Sequence, residues 1–125
     1  MNKKILIVDD EEDIRDTVRT ILESIGYTVE EASSGMDCMG KIRDVKPDLI
    51  LMDFFMPEMS GRETIEKIRE SPELESTKIV FFTVAEFRGE KYRQDMEDLK
   101  ISGYIQKPID LNVLLSKVKE IVPPN

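Results

Sequence analysis

The sequence predicts an α/β protein in which helices cover both faces of one parallel sheet. Three observations lead there. Short apolar runs rich in β-branched residues recur along the chain, stretches with helical spacing alternate with them, and 125 residues suffice for one sizeable core. No repeat, low-complexity segment or internal linker interrupts the pattern.

The elements follow in order. "KILIVD" (Lys4 to Asp9) reads as a strand buried on both faces. From Glu12, the residues Ile14, Val18, Ile21, Leu22 and Ile25 recur at helical spacing until Gly26 supplies a stop. "YTVEEA" (Tyr27 to Ala32) alternates like a strand near a sheet edge. Met36, Met39, Ile42 and Val45 mark a second helix, closed before Pro47. "DLILMDF" is the third strand, and a helix with Ile65 and Ile68 inward follows Ser60.

"KIVFFTV" (Lys78 to Val84) is the fourth strand. Glu86 to about Leu99 forms a helix with a thin apolar face of Phe87, Tyr92, Met96 and Leu99, interrupted by Gly89. "GYIQ" (Gly103 to Gln106) is a short fifth strand, and Lys107-Pro108 makes a turn after it. Asp110 then caps a last helix whose stripe is Leu111, Leu114, Leu115, Val118 and Val122.

Composition narrows the function. With 40% hydrophobic and 35% charged residues the chain reads as soluble and globular. A net charge of -8 and the lack of any Lys/Arg-rich block speak against nucleic acid or an anionic membrane as ligand. No apolar run approaches the roughly 20 residues of a membrane span, and the N-terminus does not read as a secretory signal, which points to the cytoplasm. The single cysteine, Cys38, permits no internal disulfide and reads as a small buried apolar residue. There is no histidine, so imidazole bases, Ser-His or Cys-His pairs and histidine zinc sites are excluded.

Right-handed crossovers bring every strand's C-terminal end to one edge of a parallel sheet, where open sheets of this kind bind their ligands. Asp9 and Asp10, followed by Glu11 and Glu12, lie at the exit of the first strand, Asp53 at the third, Thr83 at the fourth and Lys107 after the fifth. Like charges about 4 Å apart, at an effective dielectric near 20, cost on the order of 4 kcal/mol per pair. A hard divalent cation relieves that repulsion, and an all-oxygen ligand set favours Mg²⁺, or Mn²⁺, over zinc or copper. Mg²⁺ takes one or two carboxylates together with phosphate oxygens, and a hydroxyl and a lysine suit the same anion. The chemistry points to a phosphoryl group with a carboxylate as attacker or neighbour.

"ILIVDDEED", "LILMDFFMPEMSG", "FFTVAE" and "YIQKPID" closely resemble the four signatures of response-regulator receiver domains of the chemotaxis-regulator-like kind. The resemblance spans the chain in order and spacing. It implies a flavodoxin-like (βα)5 three-layer sandwich with strand order 2-1-3-4-5, residues 1–125 forming one receiver domain. It implies that Asp53 accepts a phosphoryl group from the phosphohistidine of a histidine kinase or phosphotransfer protein. Asp10 would ligate Mg²⁺ directly, Asp9 largely through water, and the backbone carbonyl of Phe55 would be a further ligand; Mn²⁺ can substitute. Thr83 and Lys107 match the hydroxyl and lysine that bind phosphoryl oxygens, and Tyr104 matches the aromatic that turns inward with the hydroxyl.

The implied activity is that of a switch, not an enzyme, catalysing only its own phosphorylation and dephosphorylation. Its implied partners are the phosphodonor and a downstream protein, with no nucleic acid or membrane bound, in a monomer or a weak phosphorylation-dependent dimer. The lack of histidine fits a donor imidazole supplied by another protein.

Other classes fit less well. A haloacid-dehalogenase-type phosphatase usually has a second acid two residues after its nucleophile, where Phe55 stands. A flavin carrier needs a hydroxyl- and glycine-rich loop after the first strand, where four acids would repel phosphate. A degenerate receiver used only as a protein-binding module is the alternative left open, although every reactive residue is present. The ending "IVPPN" suits either a single-domain regulator or the N-terminal receiver part of a longer regulator or hybrid kinase. Two places depart from the common family pattern, Val84 standing for a small residue and Lys100-Ile101 for Gly-Ala, and Phe55 and Ala85 occupy positions that in this family tune acyl-phosphate hydrolysis.

Overall fold

The computed structural model describes residues 2–83 and 89–124, with side chains for all of these except 89–92 and 95. Five strands, β1 (Lys4–Val8), β2 (Thr28–Ala32), β3 (Leu49–Asp53), β4 (Lys78–Thr83) and β5 (Gly103–Gln106), alternate with helices α1 (Glu12–Ser24), α2 (Gly35–Val45), α3 (Gly61–Arg69), α4 (Gly89–Leu99) and α5 (Leu111–Ile121). All strand pairs are parallel, in the order β2-β1-β3-β4-β5. The predicted sandwich and strand order are therefore present, and β2 is the edge strand its alternation announced. Val84, Ala85, Glu86, Phe87 and the Tyr92 side chain, all used in reading the sequence, lie outside the described residues.

The sheet divides two apolar layers. On one face Leu6, Val8, Ile50, Met52, Ile79 and Phe81 meet α2, α3 and the end of α4. On the other Ile5, Ile7, Leu49, Leu51, Val80 and Phe82 meet α1 and α5. Successive strand residues point to opposite faces, so a central strand covered on both sides must be apolar throughout. β1 is such a strand, with Ile5 to Val8 fully buried.

Local signals set the boundaries. Gly26 follows α1 with φ 103°, a backbone conformation that glycine adopts without strain. Ser60 and Glu63 form a capping box at the start of α3, and the Asp110 carboxylate accepts from the Asn112 and Val113 amides as the expected cap of α5. The Lys107–Pro108 peptide is cis.

Some expectations need correction. Met36 is 63% exposed, whereas α2 buries Gly35, Cys38 and Ile42, with Met39 half-buried beside them. The small residues form the contact face because α2 lies close to its neighbours: a Cβ on Gly35 would run into Thr64 Oγ1 and Met59 Sδ. Leu111 is 40% exposed at the first turn of α5, which packs through Leu114 and Val118 instead. Tyr27 precedes β2 and donates its hydroxyl to the Val122 carbonyl at 2.6 Å, tying the start of β2 to the end of α5. A short 3-10 helix over Pro72–Leu74, which periodicity did not signal, buries Leu74 between α3 and β4.

Candidate functional site

The strand order reverses direction between β1 and β3, so the exits of these two strands flank the crevice where such sheets take ligands. Asp9 and Asp10 leave β1 there, and Asp53 is the last residue of β3. One carboxylate oxygen from each of the three lies within 4.8 Å of the others. Asp9 and Asp53 are buried, while Asp10 is exposed at the mouth. The crowding that the sequence predicted is present in space.

Lys107 arrives from the opposite side. Its Nζ donates to Asp9 Oδ2 at 2.9 Å and lies 3.4 Å from Asp53 Oδ1. Burial pulls the ammonium toward neutrality, but the bond to Asp9 and the charges of Asp9 and Asp53 outweigh it, and the pKa is raised. The Asp53 carboxyl is pushed up to about 6, first by burial and then by the charge of Asp9, with Lys107 opposing. One ammonium does not neutralise three carboxylates. The remaining negative charge and the all-oxygen donor set fit a hard divalent cation of the Mg²⁺, Mn²⁺ or Ca²⁺ kind.

The other candidates are placed around this centre. Thr83 ends β4 fully buried, and Lys107 N donates to its carbonyl at 2.7 Å, so the fourth and fifth strand exits are joined. Asp53 pairs with Phe82 in the ladder, which sets Thr83 one residue beyond it on the neighbouring strand. Tyr104 faces Phe81 across the β4–β5 ladder and is half-buried against the α2–α4 layer. Phe54 and Phe55 part company after Asp53. Phe54 turns inward, edge-on to Phe81 with centroids 5.1 Å apart, while Phe55 is 55% exposed.

Two residues of this site were missed in the sequence. Gly61 donates its amide to the Phe54 carbonyl at 2.9 Å, and a Cβ on it would run into the carbonyl oxygen of Asp53. An isolated glycine at the start of a helix was the available signal for that close approach. Arg15 reaches from α1 and donates Nη1 to the Asp9 carbonyl at 2.7 Å. Nothing local marks it, because its anchoring partner Glu31 stands on β2.

Comparison with known proteins agrees with this arrangement. The family model described as the response regulator receiver domain matches residues 5–119. Protein PilG of Pseudomonas aeruginosa is 29% identical over 120 residues, covering 96% of this chain and 87% of PilG. The polar-differentiation response regulator DivK of Brucella ovis is 30% identical over 119 residues, covering 95% of each chain. Among solved structures, the chemotaxis response regulator CheY4 of Vibrio cholerae superposes with a TM-score of 0.88 at 28% identity, covering 98% of this chain and 100% of CheY4.

Proposed function

Because this chain belongs to the response regulator receiver domain family of two-component signalling, we propose that it is a phospho-accepting switch whose acceptor is Asp53. One observation carries the reading: a buried carboxylate at the exit of β3 shares its cleft with two further acids and a charged lysine. The donor is the phosphohistidine of a histidine kinase or phosphotransfer protein. An Asp53 carboxylate oxygen attacks phosphorus as the N–P bond of the donor breaks, and the departing imidazole takes up a proton from solvent.

Asp9, Asp10, Asp53 and the Phe55 carbonyl would hold Mg²⁺, with Mn²⁺ able to substitute. Bound there, the ion offsets the carboxylate repulsion and the charge of the phosphoryl oxygens. Lys107 is held in place by Asp9 and remains charged, ready to take a phosphoryl oxygen as Asp53 becomes an acyl phosphate. The Thr83 hydroxyl donates to a second oxygen, and Tyr104 follows it inward, which alters the face of α4, β5 and α5 offered to a downstream protein. The domain spans residues 1–125, works in the cytoplasm, catalyses only its own phosphorylation and dephosphorylation, and is a monomer or a weak phosphorylation-dependent dimer.

Acetyl phosphate with Mg²⁺ tests the acceptor. Intact-mass spectrometry should show one added phosphoryl group on the wild type and none on Asp53→Asn. Labelling of the variant at the wild-type rate, or no labelling of the wild type in millimolar Mg²⁺, would refute the proposal.

A further inference from the structure

The four polar atoms of Asp9 are each held from a different direction. Its amide donates to the Ala32 carbonyl on β2 at 3.1 Å, Oδ1 accepts from Glu11 N at 2.9 Å, and Oδ2 accepts from Lys107 Nζ at 2.9 Å. The fourth atom, the carbonyl oxygen, accepts from Arg15 Nη1 at 2.7 Å. That carbonyl belongs to the peptide unit joining Asp9 to Asp10. Asp10 is exposed, so its carboxylate is aimed by its backbone more than by packing.

Arg15 is itself aimed. Its Nε donates to Glu31 Oε1 at 3.0 Å, and the other oxygen of Glu31 accepts from Arg19 Nη1 at 2.7 Å. Glu31 is the ladder partner of Ile7, two residues before Asp9. The Arg15 and Glu31 side chains are only 15% and 20% exposed, so this pair is less screened than the surface pairs elsewhere. A planar guanidinium with donors in a fixed fork transmits the position of Glu31 to the Asp9 carbonyl in a way a flexible ammonium does not.

We propose that Arg15, anchored by Glu31, is a positioning residue of the divalent-cation site: it fixes the Asp9–Asp10 peptide and thereby sets the affinity for Mg²⁺. This rests on reading the acidic cleft as a Mg²⁺ site. Position and charge act with opposite sign here. A cation beside the cleft repels a metal ion, so if charge dominates, removing Arg15 tightens Mg²⁺ binding. If position dominates, removing it weakens binding. We take the geometric effect as the larger because Arg15 bonds the Asp9 carbonyl directly, at 2.7 Å.

The full chain titrated with Mg²⁺ by calorimetry, with the amides near Asp9 and Asp53 followed by NMR, separates the two. Partners that orient metal ligands typically change affinity by about 10- to 100-fold, and an arm acting through the backbone belongs at the low end. Arg15→Met should therefore bind Mg²⁺ about tenfold more weakly. Arg15→Lys should lie between it and the wild type, and Glu31→Gln should weaken binding with Arg15 still present. Arg19→Met shares the ion network without touching Asp9 and should stay within about twofold of wild type, which a merely structural network would not allow.

Circular dichroism and urea unfolding establish that each variant is folded. If Arg15→Met does not fold, Arg15→Lys and Glu31→Gln decide on the same terms. Undiminished or tighter Mg²⁺ binding by a folded Arg15 variant, or equal losses in the Arg15 and Arg19 variants, overturns the proposal alone. A wild type that takes up no Mg²⁺ overturns it together with the functional reading beneath it.

Discussion

Burial and the charge of Asp9 raise the Asp53 carboxyl to about 6 against the pull of Lys107, whereas an unfolded aspartate titrates near about 3.9. The folded chain therefore binds this proton more tightly than the unfolded one. The associated stability is fully present below about pH 4 and is lost as pH rises through about 6. At about 1.4 kcal/mol per tenfold change in proton affinity, the full difference is on the order of 3 kcal/mol. In EDTA at pH 7.5, Asp53→Asn should exceed the wild type in urea-unfolding stability by about 2–3 kcal/mol, and the gap should close near pH 4. Lys107 keeps Asp9 as a partner in the variant, so no new buried charge is stranded. A variant no more stable than wild type at pH 7.5 would show that burial and the charge of Asp9 do not penalise the ionised Asp53 as the geometry requires. Two residues further on, the exposed Phe55 ring leans edge-on to Phe54 at 4.8 Å. If that ring lies over the acceptor once Asp53 is phosphorylated, its bulk would keep water from the acyl phosphate. Phe55→Asn should lose its phosphoryl group several-fold faster, followed by intact mass over time; an unchanged decay would remove Phe55 from that role.

Among the elements, the loop from β3 into α3 has least room for change. Ser60 and Glu63 cap α3, and the Gly61 amide is bonded to the Phe54 carbonyl. A methyl group at Gly61 must displace the backbone of Asp53 itself. Gly61→Ala should cost about 1–3 kcal/mol in urea unfolding and slow acetyl-phosphate labelling; a neutral variant would mean the loop relaxes freely. The α4–β5 connection offers the opposite case, because Lys100 sits at φ 54° just past the end of α4. Glycine there avoids the left-handed penalty and loses only an exposed 3.7 Å contact to Glu75. Lys100→Gly should thus stabilise by roughly 0.5–1 kcal/mol after the entropy of the unfolded chain is counted. Destabilisation would show that the chain relies on lysine at this turn. The central strands β1, β3 and β4 were legible because each carries an apolar run, and β2 because it alternates. Helix faces were less so: large apolar residues drew attention to Met36 and Leu111, while α2 buries Gly35, whose smallness is itself the packing requirement, beside Cys38, which reads as buried from the sequence.

For the whole molecule, the site was legible because a parallel sheet gathers the ends of distant strands at one edge, so Asp9, Asp10, Asp53 and Lys107 could be grouped before any coordinates. Arg15 and Gly61 were not, since one depends on a partner across the α1–β2 layer and the other on a backbone approach that no periodicity encodes. The same sheet limits how a change at the cleft can spread. Lys107 is bonded to Thr83 through the backbone, Tyr104 packs on the α2–α4 layer beside Phe81, and Arg69 at the end of α3 donates to the carbonyls of Leu99 and Lys100 where α4 gives way to β5. These contacts would carry a displacement of Thr83 on phosphorylation toward β5 and the end of α4. At the far edge Thr28 and Val29 open β2 at the end of the sheet away from the cleft, paired with Lys4 and Ile5 of β1, whose apolar residues are fully buried and close-packed. Beryllofluoride with Mg²⁺, as a phosphoryl mimic, should therefore shift the amide resonances of Ile101–Gln106 and the first turn of α5 as well as the cleft, and leave Thr28–Val29 and the second half of α1 in place. Shifts confined to the cleft would mean that phosphorylation does not reach the partner face, and shifts of equal size at Thr28–Val29 would mean a global change instead of a directed one.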